Sequence, residues 1–261
     1  MKIGFVGTGA ITEAMVTGFL QAPSPHMRIL LSPRSADRAA RLAGRFPDQV
    51  TVAHDNQAVV DGSDIVVLAV RPQVAEQVIS DLRFNAAQTV LSVVATLGQD
   101  TLSRLVAPAT NVVRAVPLPA VAQGVGATAI TPADPAIVTL FDRVGTAIAV
   151  DGEDAYAAMA AVTATMSTYF TFATTLAGWL AARGVPQDAA RAYVAQILGG
   201  LARTLQATPA SDFPHLSREH ETPGGLNEQM RSTLERGGVF EQIGKGLDAI
   251  LARHMGRGPS A

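Results

Sequence analysis

The chain opens on "KIGFVGTGAITEA", an apolar run that stops at two glycines one residue apart and resumes as a helix-patterned segment. A strand that ends on Gly7 and Gly9 at the mouth of a helix leaves few folds open. The first glycine permits a tight turn, and the second lets an anionic group approach bare backbone, where helix N–H groups and the macrodipole favour negative charge. Thr12 stands where a third glycine is often found, and Ala14 is small enough for close packing of helix on strand. A lone Gly-x-Gly is a weak signal, but in this strand-turn-helix context it predicts a dinucleotide site at Gly7, Thr8, Gly9, Ala10 and Ile11.

The residues that follow keep the same rhythm. Short apolar runs ("MRILLS", "VTVA", "DIVVLAV", "TVLSVVA", "NVVRAVP") alternate with helix-like stretches ("SADRAARLAGRF", "NQAVVDG", "EQVISDL", "DTLSRLV"), and a last strand pair lies in "GATAITP" and "TAIAVDG" around a helix at "PAIVTLFDRVG". This is the pattern of a parallel sheet with crossover helices, so the fold class is α/β with an N-terminal Rossmann-type doubly wound sheet. From Glu153 onward everything reads as helix, broken at Arg183–Pro186, Thr208–Pro214, "TPGG" and Gly237-Gly238. Residues 1–152 are therefore expected to form a dinucleotide-binding domain and residues 153–261 an all-α domain for dimerisation and substrate binding.

No charged residue lies between Asp154 and Arg183, a stretch long enough to cross a bilayer. Its Thr and Ser content and scarcity of Leu favour a buried helix instead, about 45 Å long at about 1.5 Å per residue. A small domain cannot cover such a rod, so a second subunit is expected to do so. In the last segment Val239, Phe240, Ile243, Leu247, Ile250 and Leu251 recur at helical spacing. Twenty basic against twenty-two acidic residues give a net charge of −2, which supplies no field for nucleic acid or anionic membrane. Cysteine is absent, which excludes disulfides and thiolate chemistry and fits a reducing compartment. The N-terminus does not read as a signal peptide, so a cytoplasmic location is expected, and the tail "GRGPSA" is expected to fray.

Ligands of such sheets sit beyond the carboxyl ends of the strands. The second strand ends in "SPRS", without the acid that an NAD site offers to the ribose hydroxyls. Ser32, Arg34 and Ser35 suit a 2′-phosphate, so NADP(H) is favoured and NAD(H) remains open. The alternative is that Arg34 and Ser35 only cap the next helix. Asn56, at a strand-to-helix junction, and Ala69, Val70, Arg71 and Pro72, at the exit of the fourth strand, complete the cofactor candidates.

In this order, "GFVGTGAITEAM", "HDNQAVVDGSDIVVLAVRPQ", "VVRAVP" and "TPGG" before a helix resemble the pyrroline-5-carboxylate reductase family along nearly the whole chain. The resemblance implies a Rossmann domain, a helical domain that interlocks with a dimer partner, and reduction of a cyclic imine by NAD(P)H. It also implies that the loop at Thr222, Pro223, Gly224 and Gly225 holds the substrate carboxylate through backbone amides and the Thr222 hydroxyl, a role that free N–H groups at a helix start suit.

The departures bear on the substrate. Leu118 stands where the family has Asn, "TATMSTY" replaces a small Ser/Gly run and keeps Tyr169, and Asn227 followed by Glu228 stands where a Thr or Ser is usual. Asn227 is donor and acceptor and Glu228 accepts protons or pairs with a cation, so a more polar substrate than a pyrroline is open. For a protonated imine, carboxylate anchoring at Thr222, Gly224 and Gly225, with Thr163, Ser167 or Thr168, suffices. A carbonyl or alcohol substrate needs a proton relay, for which Tyr169, His220 and Glu228 are the candidates. His215, Glu219, His220 and Glu221 lack the spacing of a two-histidine helical metal motif, so no metal is expected. Rival readings are a dehydrogenase of a polar hydroxy acid on the same scaffold and a non-catalytic NADP-binding sensor. The lysine mechanism of 3-hydroxyacid dehydrogenases is poorly supported, because the only lysines are Lys2 and Lys245.

Overall fold

The apolar runs form strands and the segments between them form helices in the computed structural model, which describes residues 1–21, 24–95, 97–208 and 212–255. In order these are β1 (Lys2–Val6), α1 (Ala10–Gln21), β2 (Arg28–Leu31), α2 (Ala36–Arg45), β3 (Val50–Val52), α3 (Asn56–Asp61), β4 (Ile65–Leu68), α4 (Pro72–Ser80), β5 (Thr89–Ser92), α5 (Gln99–Leu105), β6 (Asn111–Pro117), β7 (Gly126–Thr131), α6 (Pro135–Asp142) and β8 (Gly145–Ala149). The helices α7 (Glu153–Val162), α8 (Thr165–Ala181), α9 (Gln187–Ala207), α10 (Phe213–Glu219), α11 (Leu226–Arg236) and α12 (Val239–His254) follow. The tail from Gly256, expected to fray, lies outside the described residues, as does part of the break expected at Thr208–Pro214.

The strands form one sheet in the order β3-β2-β1-β4-β5-β6-β7-β8. β1 pairs in parallel with both β2 and β4, so the chain direction of winding reverses between β1 and β4, and a crevice opens beyond their carboxyl ends. All four residues of β4 are buried, as expected of a parallel strand covered on both faces. Alternation divides them, with Ile65 and Val67 joining Phe5, Met15 and Phe19 on one face and Val66 and Leu68 joining Val59, Ile79 and Val90 on the other.

Three expectations are corrected. β7 runs antiparallel to β6, because a 3-10 turn at Pro119–Gln123 reverses the chain, so the parallel pairing expected from the strand–helix alternation holds for every pair but this one. α4 begins at Pro72, with its fixed φ at the first helical position, rather than near Glu76. The uncharged rod is two helices. At the junction the Thr165 hydroxyl donates to Val162 O at 2.8 Å, the carbonyl that Met166 N would meet in a continuous helix, and Met166 N turns to Thr163 O.

The chain divides into two compact units, residues 1–161 with 253–261, and residues 162–252. The first takes in α7 through Arg114 of β6, which is 2% exposed, pairs with Glu153 and lies 4.4 Å over the Tyr156 ring. Burial pushes the Tyr156 phenol well above its usual range, and burial with Arg114 lowers His254, whose ring lies 6.5 Å from that of Tyr156. In the second unit α8 and α9 pack together, yet no residue of α8 is buried within one protomer. Among the described residues no helix is long and apolar enough to cross a membrane.

Candidate active site

Gly7, just past β1, has φ +104°, and a Cβ there would stand 2.5 Å from the carbonyl oxygen of Ala69. Only glycine fits. The turn is fastened from below: Gly7 N donates to Ser32 Oγ at 2.9 Å, the Thr8 hydroxyl donates to Ser32 O at 2.8 Å, and the Thr12 hydroxyl donates to Gly7 O at 2.7 Å. Above the turn, no atom lies within 4 Å of where a Cβ on Gly9 would stand. Glu13 N is the first amide of α1 to close onto the chain, at Gly9 O, which leaves the N–H groups of Ala10, Ile11 and Thr12 to a ligand. Bare backbone, free amides and a helix start fit a pyrophosphate.

The end of β2 departs from expectation in one respect. Ser32 is fully buried and its hydroxyl holds the turn, so it is not available to a 2′-phosphate. Ser35 is the N-cap of α2, but its side chain makes no capping bond, so capping does not account for it. A shallow cavity of about 400 Å³, open to solvent, lies beside it, lined by Arg34, Ser35, Ala36, Asp37, Arg38 and Arg41. Arg38 and Arg41 were not among the sequence candidates, although Arg34, Arg38 and Arg41 recur at helical spacing. Both pair with Glu13 of α1, Arg38 Nε at 2.7 Å and Arg41 Nη2 at 3.4 Å, and Arg38 Nη1 also donates to Thr8 O at 3.3 Å. The hydrogen bond from Arg38 holds the Glu13 carboxyl below its usual range, against the opposing effect of burial, and Arg41 adds to it.

The remaining cofactor candidates lie at the same edge of the sheet. Asp55, not Asn56, caps α3, its carboxylate accepting from Ala58 N at 2.7 Å. Asn56 is the first helical residue, and its amide is not engaged in capping. Ala69 and Val70 follow β4, with the Ala69 backbone packed on Gly7, and Arg71 and Pro72 open α4.

In the helical unit, the loop between α10 and α11 is latched to itself. Asn227 Nδ2 donates to His220 O at 2.7 Å, Gly225 N to Thr222 O at 2.7 Å, and Arg231 pairs with Glu221 at 2.5 Å. Gly224 has φ +73°, and a Cβ on Gly225 would stand 2.8 Å from Thr222 O, which accounts for both glycines. The amide of Gly224 is taken by the chain's own acid: it donates to Glu228 Oε2 at 2.6 Å. Because Gln229 N is the first to close, onto Gly225 O, the amides of Leu226, Asn227 and Glu228 remain open at the start of α11. His220 Nδ1 lies 2.8 Å from Leu216 O, and His215 pairs with Glu219 at 3.2 Å.

Thr163 sits in the turn before α8, with Ser167, Thr168 and Tyr169 in its first turns, all three exposed. Successive helical positions point about 100° apart, so these three side chains do not converge on one point. The Tyr169 ring meets Phe170 edge-on at 5.6 Å.

Comparison with known proteins gives two family matches, "NADP oxidoreductase coenzyme F420-dependent" over residues 2–96 and "Pyrroline-5-carboxylate reductase dimerisation" over residues 153–256. The chain is 27% identical to a pyrroline-5-carboxylate reductase of Mycobacterium tuberculosis over 283 residues, spanning 97% of this chain and 95% of that protein. Among solved structures, it is similar to a pyrroline-5-carboxylate reductase of Coxiella burnetii (TM-score 0.81, 25% identity, 99% of this chain and 98% of that one). It also shares the fold of a Plasmodium falciparum pyrroline carboxylate reductase with NADP bound (TM-score 0.82, 17% identity, 99% and 98% covered).

Proposed function

The chain belongs to the pyrroline-5-carboxylate reductase family, and on that premise we propose that it is an NAD(P)H-dependent reductase of a small carboxylate-bearing cyclic imine. The observation that carries the reading is the turn at Gly7 and Gly9, closed to any side chain below and open above, with three free amides behind it. When bound, the nicotinamide supplies a hydride to the imine carbon. The C=N electron pair moves to a nitrogen that is already protonated, so no further proton is required and the product is the cyclic amine. The task left to the protein is to hold the acceptor still.

Arg34, Arg38 and Arg41, with the Ser35 hydroxyl, support NADP(H) over NAD(H), since three cationic side chains outnumber the one carboxylate, Asp37, that lines the same cavity. The loop at Thr222–Gly225 and the open amides of α11 are assigned to the substrate carboxylate, with Glu228 leaving Gly224 N when the acid arrives. Thr163, Ser167 and Thr168 are assigned to the substrate side of α8. Homodimerisation is assigned to residues 153–261, and the exposed Phe170, Trp179, Tyr193, Ile197 and Leu201 support it.

A second reading is supported by Glu228 itself. A carboxylate at the loop favours an acceptor more polar than a pyrroline ring, such as a keto acid, with Tyr169, His220 or Glu228 as proton donor. The test is to follow nicotinamide absorbance as NADPH is mixed with pyrroline-5-carboxylate and with a panel of imino and keto acids. Turnover of the pyrroline supports the first reading, and turnover of keto acids alone supports the second. Tight NADPH binding with no oxidation by any member would leave the non-catalytic sensor.

A further inference from the structure

We infer that Glu13 sets how strongly this protein prefers the 2′-phosphorylated cofactor, acting as a built-in counter-anion to Arg38 and Arg41. The inference rests on the nucleotide reading above and concerns a residue outside the phosphate-binding turn itself. Glu13 projects from the first turn of α1 and binds one N–H of each arginine, Nε of Arg38 at 2.7 Å and Nη2 of Arg41 at 3.4 Å. A guanidinium has five N–H groups. Arg38 spends one more on Thr8 O, so its fork is fixed in place, while most donors of both arginines remain unspent beside the cavity.

The charge count favours a particular sign for Glu13. Arg34, Arg38 and Arg41 bring three positive charges, and Asp37 and Glu13 two negative ones, which leaves a single positive charge. A phosphate monoester carries about −1.5 to −2 near neutral pH. The site is therefore under-matched to a 2′-phosphate. Discrimination between ligands is a difference of affinities, and a carboxylate at this place lowers the affinity for the more anionic one. Glu13→Gln keeps an acceptor for Arg38 Nε and removes only the charge.

The experiment is calorimetric titration of the full-length protein and of E13Q with 2′,5′-ADP and 5′-ADP, at low and high salt. Asp100→Asn, on α5, serves as a variant of equal net charge that lies outside the cavity lining and touches neither ion pair. Because Glu13 and Arg38 are 36% and 33% exposed, the effect is screened: E13Q should bind 2′,5′-ADP about 3- to 10-fold tighter, with a smaller gain at high salt. Its affinity for 5′-ADP should stay within about twofold, and D100N should leave both affinities within about twofold. Unchanged or weaker 2′,5′-ADP binding by E13Q, an equal gain for 5′-ADP, or an equal gain in D100N would overturn the inference and leave the nucleotide site standing. Equal binding of both ligands by wild type and by E13Q would overturn it too, since no 2′-phosphate is then being read. Wild type binding neither would remove the nucleotide reading and the inference with it.

Discussion

Removing the Glu228 side chain should improve the binding of a carboxylate substrate while weakening the helix that carries it. Glu228 is the third residue of α11, and its carboxylate accepts from Gly224 N at 2.6 Å, in the loop assigned to the substrate's acid. An exposed hydrogen bond of this kind contributes about 1 kcal/mol net. At about 0.59 kcal/mol for RT, that closes the loop amide about five times as often as it opens, so the competent fraction is about one in six. Glu228→Ala should lower KM for pyrroline-5-carboxylate about sixfold with kcat little changed, and Glu228→Gln, which keeps a neutral and weaker bond, should fall between. The same Ala variant should lose about 1 kcal/mol of stability from the bond, and about 0.3–1 kcal/mol more because an acid near a helix N-terminus interacts favourably with the macrodipole. The assay is NADPH oxidation at saturating cofactor, beside urea unfolding of the same samples. If KM stays level or rises in both variants, Gly224 N does not receive the substrate acid. If kcat collapses with KM unchanged, Glu228 is a proton donor and the latch is incidental.

Gly7→Ala should cost about 2–5 kcal/mol in urea unfolding, from the positive φ and the overlap with Ala69 O, and should abolish NADPH binding; a loss under about 0.5 kcal/mol would mean that the turn relaxes freely. Arg34→Asp should weaken NADPH far more than NADH in fluorescence titration, and equal losses would remove the case for a 2′-phosphate site. His254 gives a pH dependence whose sign is fixed by its surroundings: burial first, then Arg114, lower its pKa from the usual 6.5, while Glu153 raises it. Below pH 6.5 the unfolded chain takes up a proton before the folded one, so stability is lost as pH falls through the lower folded value. His254→Gln should flatten that acid limb relative to wild type in thermal melts across pH 4.5 to about 8, and parallel curves would show that His254 does not contribute.

The parts of this fold that were legible in the sequence are those where a local rule and the tertiary structure agree. Gly7 and Gly9 announce their turn because steric exclusion acts at single residues. β4 announces its double burial because a parallel strand carries apolar residues on both faces. The break at Thr163 was illegible, since neither proline nor glycine marks it and a threonine hydroxyl competing for one carbonyl leaves no periodic trace. The reversal between β6 and β7 depends on a 3-10 turn whose one proline, Pro119, reads equally well as a loop. Ser32 looked like a phosphate ligand because its residue type suits one, and only burial shows that its hydroxyl holds Gly7. Arg38 and Arg41 carried a signal that a charged helix face obscures. Glu228 carried one as well: an acid at the third position of a helix is half of a capping box, and reaching back to the loop is what such an acid does.

The two units differ in what holds them together, and that difference separates cofactor binding from turnover. The sheet unit has a core on each face, with Phe5, Met15, Phe19, Phe141 and Leu68 fully or almost fully buried, so its turn at Gly7 is positioned by the unit's own packing. Among the described residues of the helical unit, only Ala190 and Val194 are buried hydrophobics, while Phe170 is 67% and Trp179 56% exposed. Burying an aromatic of this size contributes about 1.5–3 kcal/mol, and two alanine-and-valine-sized contacts cannot offset the chain entropy of ordering five helices. The exposed apolar surface of α8 therefore calls for cover by a second copy, as the dimerisation family match implies. Substitutions in the turn should then act on nucleotide binding at any protein concentration, whereas the effect of substitutions on α8 should depend on protein concentration, through assembly.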